Sequence, residues 1–170
     1  MRRDGAIIDG MGEPSDWIKN LKRDTEQDAK SRESAEQYRL HIDTLIKSKS
    51  PAFWSRIASQ VRKECEELNA TFPNDDRRRV QLEATGDEFT ITNCIRPAKS
   101  LQANINSTLL FADVKIRTRE NIETRPQMVT REIAFALNSE RDLYGKWEGK
   151  VYVIPEDLAG ALIREVIGLA

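Results

Sequence analysis

Up to Pro73, apolar residues recur every three or four positions in a highly charged background. From residue 80 to residue 154 they fall at every second position, and after Pro155 the wider spacing returns. A period near 3.6 marks one face of a helix, and a period of two marks one face of a strand. The order therefore predicts helices, then a run of strands, then one closing helix.

Glu13-Pro14-Ser15-Asp16 reads as a helix start, with Ser15 or Asp16 as the cap. Trp17, Ile18 and Leu21 form a small apolar patch, after which residues 22–37 are polar apart from Ala29 and Ala35. Glu26 and Lys30, and Asp28 and Arg32, stand at the four-residue spacing of helical ion pairs. Apolar spacing resumes at Tyr38, Ile42, Leu45 and Ile46. Residues 16–47 are expected to form one long helix, or two collinear ones, about 48 Å long if continuous. Such an arm is longer than a small domain is wide, so it is a natural place for a partner to lie.

Ser48-Lys49-Ser50-Pro51 predicts a break and a restart, with Ser50 as cap and Pro51 at the first helical position. The second helix then places Phe53, Trp54, Ile57, Ala58, Val61, Cys65, Leu68 and Phe72 on one face. An amphipathic stripe of this kind ordinarily faces a core. The alternative is a seam between two copies, with Phe53, Trp54, Ile57 and Val61 as the interaction surface.

After Asn74-Asp75-Asp76, alternating runs are separated by turn residues: Gly86-Asp87, Pro97, a polar loop over 119–125, and Glu148-Gly149. The connections are too short for parallel crossovers, so the strands form an antiparallel meander of five to seven members. Pro155-Glu156-Asp157 opens the closing helix, whose Leu158, Leu162, Ile163, Val166 and Ile167 need an apolar surface. The expected fold is α+β: a helical hairpin or a long helix plus a second helix, the meander, and a C-terminal helix packed on the sheet. The expected organisation is a flexible 1–14 and a single domain over 15–170, with a helical region at 15–73, the sheet at 79–154 and the closing helix at 155–170.

Composition narrows the function more by exclusion than by assignment. The 170 residues are 39% hydrophobic and 32% charged, and 27 basic residues face 28 acidic ones. A dedicated nucleic-acid binder carries a positive excess, so nucleic acid is not the expected partner. No stretch reaches the roughly 20 apolar residues of a membrane span, and no signal-peptide pattern opens the sequence. The expected location is cytoplasmic. Cys65 and Cys94 have no metal-ligand spacing and are expected to be buried apolar side chains.

The chemistry-bearing residues are few. His41 is the only histidine and sits among Arg39 and Asp43 on a helix face. There is no phosphate-cradling glycine loop, no dinucleotide fingerprint and no nucleophile elbow. Asp113 and Lys115 share one strand face, and with Glu83, Asp87 or Glu88 they resemble the pattern of metal-dependent nucleases of the restriction-enzyme type. That resemblance covers these few positions and implies carboxylates holding Mg²⁺ and a lysine steadying the attacking water. The plain alternative is an ion pair across strands. Arg77, Arg78, Arg79, Lys99, Arg117, Arg119, Arg125 and Arg131 would form a basic patch if the strands aligned them, with Tyr144, Trp147 and Tyr152 as stacking surfaces.

These readings assign no catalytic residue, no metal and no cofactor. The leading expectation is a non-enzymatic interaction module that associates with itself as a dimer or with another protein. The second is a ligand-binding domain with a pocket between sheet and helices, anchored by Asn93, Asn104, Arg131 and Tyr152. A nuclease or nucleic-acid binder comes last.

Overall fold

The computed structural model describes residues 14–95 and 97–169. Their order is helix α1 (Asp16–Thr71), strands β1 (Gln81–Thr85), β2 (Glu88–Asn93), β3 (Ala98–Ile105), β4 (Phe111–Arg119), β5 (Gln127–Leu137), β6 (Leu143–Trp147) and β7 (Lys150–Tyr152), then helix α2 (Pro155–Ile167). The architecture is α+β: the seven strands form one antiparallel sheet in the order β1 to β7, and α2 packs on it. The segment 1–14, read as flexible, lies outside the described residues except for Pro14. The chain divides into two compact units, one ending at His41 and one beginning at Ile42.

In the first unit every described residue is exposed, so only local interactions support its part of α1. The amides of Ile18 and Lys19 donate to the Ser15 carbonyl at 2.9 and 3.1 Å, and Arg39 pairs with Glu36 at 2.7 Å. Glu26 meets Lys22 at 3.9 Å rather than Lys30, and Asp28 and Arg32 make no ion pair with any described residue. Exposed pairs contribute a few tenths of a kcal/mol each, roughly 0.2–0.5.

The second unit corrects one boundary. Helix α1 runs unbroken through Pro51 instead of stopping at Ser48 and restarting. Proline there removes the N–H that would reach the Lys47 carbonyl and crowds the preceding turn, at a cost of about 3 kcal/mol. Packing on both sides of it offsets that cost. Ile46, Phe53 and Trp54 are buried, and the buried Ser50 donates its hydroxyl to the Leu109 carbonyl at 2.7 Å. Lys49 Nζ donates to the Arg141 carbonyl at 2.6 Å.

Alternation along the strands sorts the sheet into two faces. Phe89, Ile91, Leu101, Ala103, Ala112, Val114, Ile116, Ile133, Phe135, Leu143 and Trp147 point to one side and are buried. They meet Phe53, Trp54, Ile57, Val61 and Cys65 of α1 and Leu158, Ala159, Leu162, Ile163 and Val166 of α2 in one core. Trp54 stacks on Phe89 with ring centroids 5.5 Å apart and donates its indole N–H to the Asp87 carbonyl at 2.7 Å. Phe53 meets Phe135 edge-on at 5.9 Å. At Gly145 side chains from both helices meet the sheet: a Cβ there would stand 2.9 Å from Leu158, 3.2 Å from Ile133 on β5 and 3.6 Å from Phe53.

Ion pairs fix α2 at both ends. Arg56 grips Glu156 through two nitrogens, at 3.1 and 2.8 Å to one oxygen, and Lys99 meets Glu165 at 2.7 Å. The Glu156 carboxyl titrates below its ordinary value because its own backbone amide, and then the Arg56 guanidinium, hydrogen-bonds the charged form. The expected hairpin at Glu148-Gly149 is present, with positive φ at both residues (51 and 76°) and Trp147 paired to Lys150.

Two stability changes follow. Pro51→Ala restores the missing helix hydrogen bond and should raise the free energy of unfolding by about 1–3 kcal/mol in urea titrations. Trp54→Ala empties the stacking site on Phe89 and should lower it by about 3–5 kcal/mol, a large share of a domain's usual stability.

Candidate functional site

The aromatic stripe is core and not seam. Phe53, Trp54, Ile57 and Val61 are at most 7% exposed, because the apolar face of the sheet covers them. They offer no surface to a second copy in this fold.

The four residues proposed to anchor a ligand do not line one pocket. Asn93 is buried on the helix-facing side, where its Nδ2 donates to the Arg77 carbonyl at 2.7 Å and its Oδ1 accepts from the Ile95 amide at 2.9 Å. Arg131, in register with the buried Val114, is on the same side and pairs with Glu148 at 2.7 Å. Tyr152 packs against the edge of the core opposite Gly145. Asn104 pairs in register with Glu88 and Asp113 on the opposite side of the sheet. Among the described residues, no buried side-chain nitrogen or oxygen lacks a hydrogen-bond partner. The described interior therefore presents no unsatisfied side-chain group to a ligand.

Asp113 and Lys115 share the outward face as the strand period requires. Asp113 lies directly between Asn104 and Glu132, and its Oδ2 accepts from Asn106 Nδ2 at 2.9 Å. Glu88 is two strands away and accepts from Gln102 at 2.9 Å. No group of three or more His, Cys, Asp or Glu among the described residues can hold a metal ion. The acids of the nuclease pattern are thus kept apart, and Asp113 and Lys115 form no ion pair either.

The basic residues divide into two sets. Arg78 lies 4.5 Å over the Phe72 ring and meets Asp75 at 3.7 Å, while Lys99 and Arg131 have carboxylate partners. Trp147 is 3% exposed and offers no stacking surface. Arg125 has no ion pair with a described residue and lies away from the clefts. Arg77, Arg79, Arg117 and Arg119 have none either. They border three adjoining clefts around the β2–β3 connection. The first, ≈ 650 Å³, includes Asn69, Asp76, Arg79, Gln81, Thr92 and Cys94. The second, ≈ 350 Å³, includes Arg77, Asn93, Lys99, Thr118 and Val166. The third, ≈ 330 Å³, is lined by Thr92, Ala98, Lys99, Ser100, Arg117 and Arg119.

Strand register builds the third cleft. Thr92 lies opposite Ser100, Ser100 opposite Arg117, and Ala98 opposite Arg119, so hydroxyls, a small side chain and two guanidinia share one outward face. The sequence marks Arg117 and Arg119 as basic but does not single out Thr92 or Ser100, because outward Thr and Ser are ordinary on a solvated strand. Their neighbourhood exists only once β2, β3 and β4 are in register. Asn69 carries no sequence signal for a similar reason: its side chain clamps Val80, donating to the carbonyl at 2.8 Å and accepting from the amide at 3.0 Å. That clamp joins the end of α1 to the start of β1, an Asn-to-backbone contact without periodicity.

The two cysteines differ. Cys65 is buried, and desolvation, with Glu64 and Glu66 adding, pushes its thiol from 9.0 up to about 12. Cys94 is exposed, contrary to expectation, because it follows the last residue of β2 and leaves the core side. No disulfide joins them. Above the ordinary thiol range the folded chain keeps a proton that the unfolded chain releases, so folding stability falls as pH rises from about 9 toward about 12. The urea midpoint of Cys65→Ala should fall less steeply over that range than that of the parent chain. In the native protein, iodoacetamide should label Cys94 and leave Cys65 unmodified until urea is added.

No helix among the described residues is long and apolar enough to cross a membrane. No protein-family model, no curated protein and no solved structure matches the chain.

Proposed function

We propose that the chain is a non-enzymatic self-association module whose seam is the exposed helix up to His41. The observation that carries this reading is the exposure of its large side chains: Trp17 is 67% exposed, Leu21 58% and Tyr38 68%. Leu21 follows Trp17 by four, and steps of three and four lead on through Asp24, Asp28, Ser31 and Ala35 to Tyr38. That alternation is the spacing of a two-helix seam.

The occupant that fits this seam is a second copy, antiparallel to the first. Centred between residues 29 and 30, Leu21 of one copy lies opposite Tyr38 of the other, and Trp17 lies opposite His41 and Ile42. Asp28, unpaired within its own helix, comes beside Arg32 of the second copy. A two-fold axis makes each contact twice, as an isologous dimer requires. Six large apolar side chains at about 1.5–3 kcal/mol each give on the order of 10 kcal/mol. Association costs about 4–15 kcal/mol, so the polar middle leaves a weak dimer, with Kd on the order of micromolar or above. The two free thiols suit a reducing, cytoplasmic setting.

Sedimentation velocity across a concentration series tests this. The parent chain should shift from monomer to dimer, and Trp17→Ser/Leu21→Ser/Tyr38→Ser should stay monomeric with unchanged thermal unfolding of the sheet. A parent chain that stays monomeric up to millimolar concentration contradicts the reading. So does a triple variant that dimerises as well as the parent.

A further inference from the structure

We infer that the outward cleft between β2, β3 and β4 is a phosphate-binding site for a small phosphate-bearing molecule, held by Arg117, Arg119, Thr92 and Ser100. Five donor side chains line this cleft; Lys99 is engaged by Glu165, and the other four have no partner among the described residues. The guanidinia of Arg117 and Arg119 have no carboxylate within ion-pairing distance among the described residues, and the hydroxyls of Thr92 and Ser100 donate to no described residue. Arg56, Arg78, Lys99 and Arg131 have acid partners; of the arginines without one at the three clefts, only Arg117 and Arg119 line the same cleft, side by side.

The strand geometry explains the convergence. Residues two apart on β4 project from the same face about 6.8 Å apart, and neighbouring strands are about 4.8 Å apart. Arg117 and Arg119 therefore stand side by side, with Ser100 directly across from Arg117 and Thr92 one strand further. Ala98, facing Arg119, leaves the floor open beside Ser100. An ion entering between them meets donors from two strand directions and from the two arginine forks.

Phosphate fits that arrangement better than carboxylate. A carboxylate offers two oxygens in one plane, which a single guanidinium fork already satisfies. A phosphoryl group offers three or four oxygens spread in three dimensions, enough for two forks and two hydroxyls together. The cleft volume of ≈ 330 Å³ exceeds that of a bare phosphate and leaves room for a small organic group. A nucleic-acid chain fits poorly, since past the Lys115 row the next outward row carries Glu88, Asp113 and Glu132, which repel a continuous phosphate backbone.

Titration of the ¹⁵N-labelled full chain with inorganic phosphate and with glycerol 3-phosphate, at constant ionic strength, tests the site. Saturable amide shifts should centre on residues 92, 98–100 and 117–119. Arg117→Ser/Arg119→Ser should weaken binding by about tenfold or more, as the loss of charge-assisted hydrogen bonds predicts. Arg117→Lys/Arg119→Lys keeps the charge but not the forks and should fall between. Arg125→Ser/Lys150→Ser removes the same charge elsewhere and should bind as the parent does. Tighter binding of glycerol 3-phosphate identifies an ester as the ligand, and equal binding identifies phosphate itself. Absence of saturation overturns the proposal, as does equal loss in the Arg125/Lys150 variant or no loss in the Arg117/Arg119 variant. Dimerisation is read separately by sedimentation, so failure here leaves the self-association reading to its own test.

Discussion

The second unit depends on burying the aromatic stripe of α1 beneath the sheet. Trp54 is where the constraint is tightest: its ring lies flat on Phe89 and its indole N–H is satisfied by the Asp87 carbonyl. A Trp in an apolar interior needs such a partner, because an unpaired buried donor costs about 1–3 kcal/mol. The partner comes from the β1–β2 turn, so the position of one helix residue fixes where the first hairpin begins. Phe53, one residue earlier, reaches Phe135 on β5 and so ties the same turn of α1 to the other half of the sheet.

From that anchor the other features follow. Helix α1 continues through Pro51 because the residues flanking it must reach the sheet, and that burial outweighs the lost hydrogen bond. A side chain at Gly145 would crowd Leu158 and Ile133, which come within 2.9 and 3.2 Å of where its Cβ would stand. Helix α2 takes the remaining apolar surface and is oriented by Glu156 and Glu165. With one face of the sheet filled, chemistry is left to the opposite face and to the exposed helix. The proposed phosphate cleft and the proposed dimer seam both lie on surfaces that the core does not use.

Much of this was legible in the sequence because periodicity reports directly on burial. The two-residue period from Phe89 to Asn93 and from Ala112 to Ile116 specified strands and their inward face, although Ile95, which continues the first period, lies beyond β2 and is exposed. Glu148-Gly149 specified a turn, and Pro155 specified the start of α2. What was not legible depended on register or on competition between local and tertiary terms. Ser48 to Pro51 has the local chemistry of a helix start, and only the burial of Ile46 and Ser50 on one side and of Phe53 and Trp54 on the other overrides it. Asn93, Asn104, Arg131 and Tyr152 have the right chemistry for anchors, yet strand alternation turns Asn104 to the opposite face and gives Asn93 and Arg131 partners of their own. Thr92 and Ser100 become notable only beside Arg117, and no local pattern predicts that pairing.

The central claim is that the stripe on α1 is interior and that the helix before it carries the association surface. Amide hydrogen exchange followed as a function of protein concentration tests it most directly. Amides around Trp54, Ile57 and Val61 should exchange only through global unfolding at every concentration, whereas those of residues 17–38 should exchange fast in dilute solution and slow as concentration rises. Concentration-dependent protection at residues 53–61, with none at 17–38, would contradict the account.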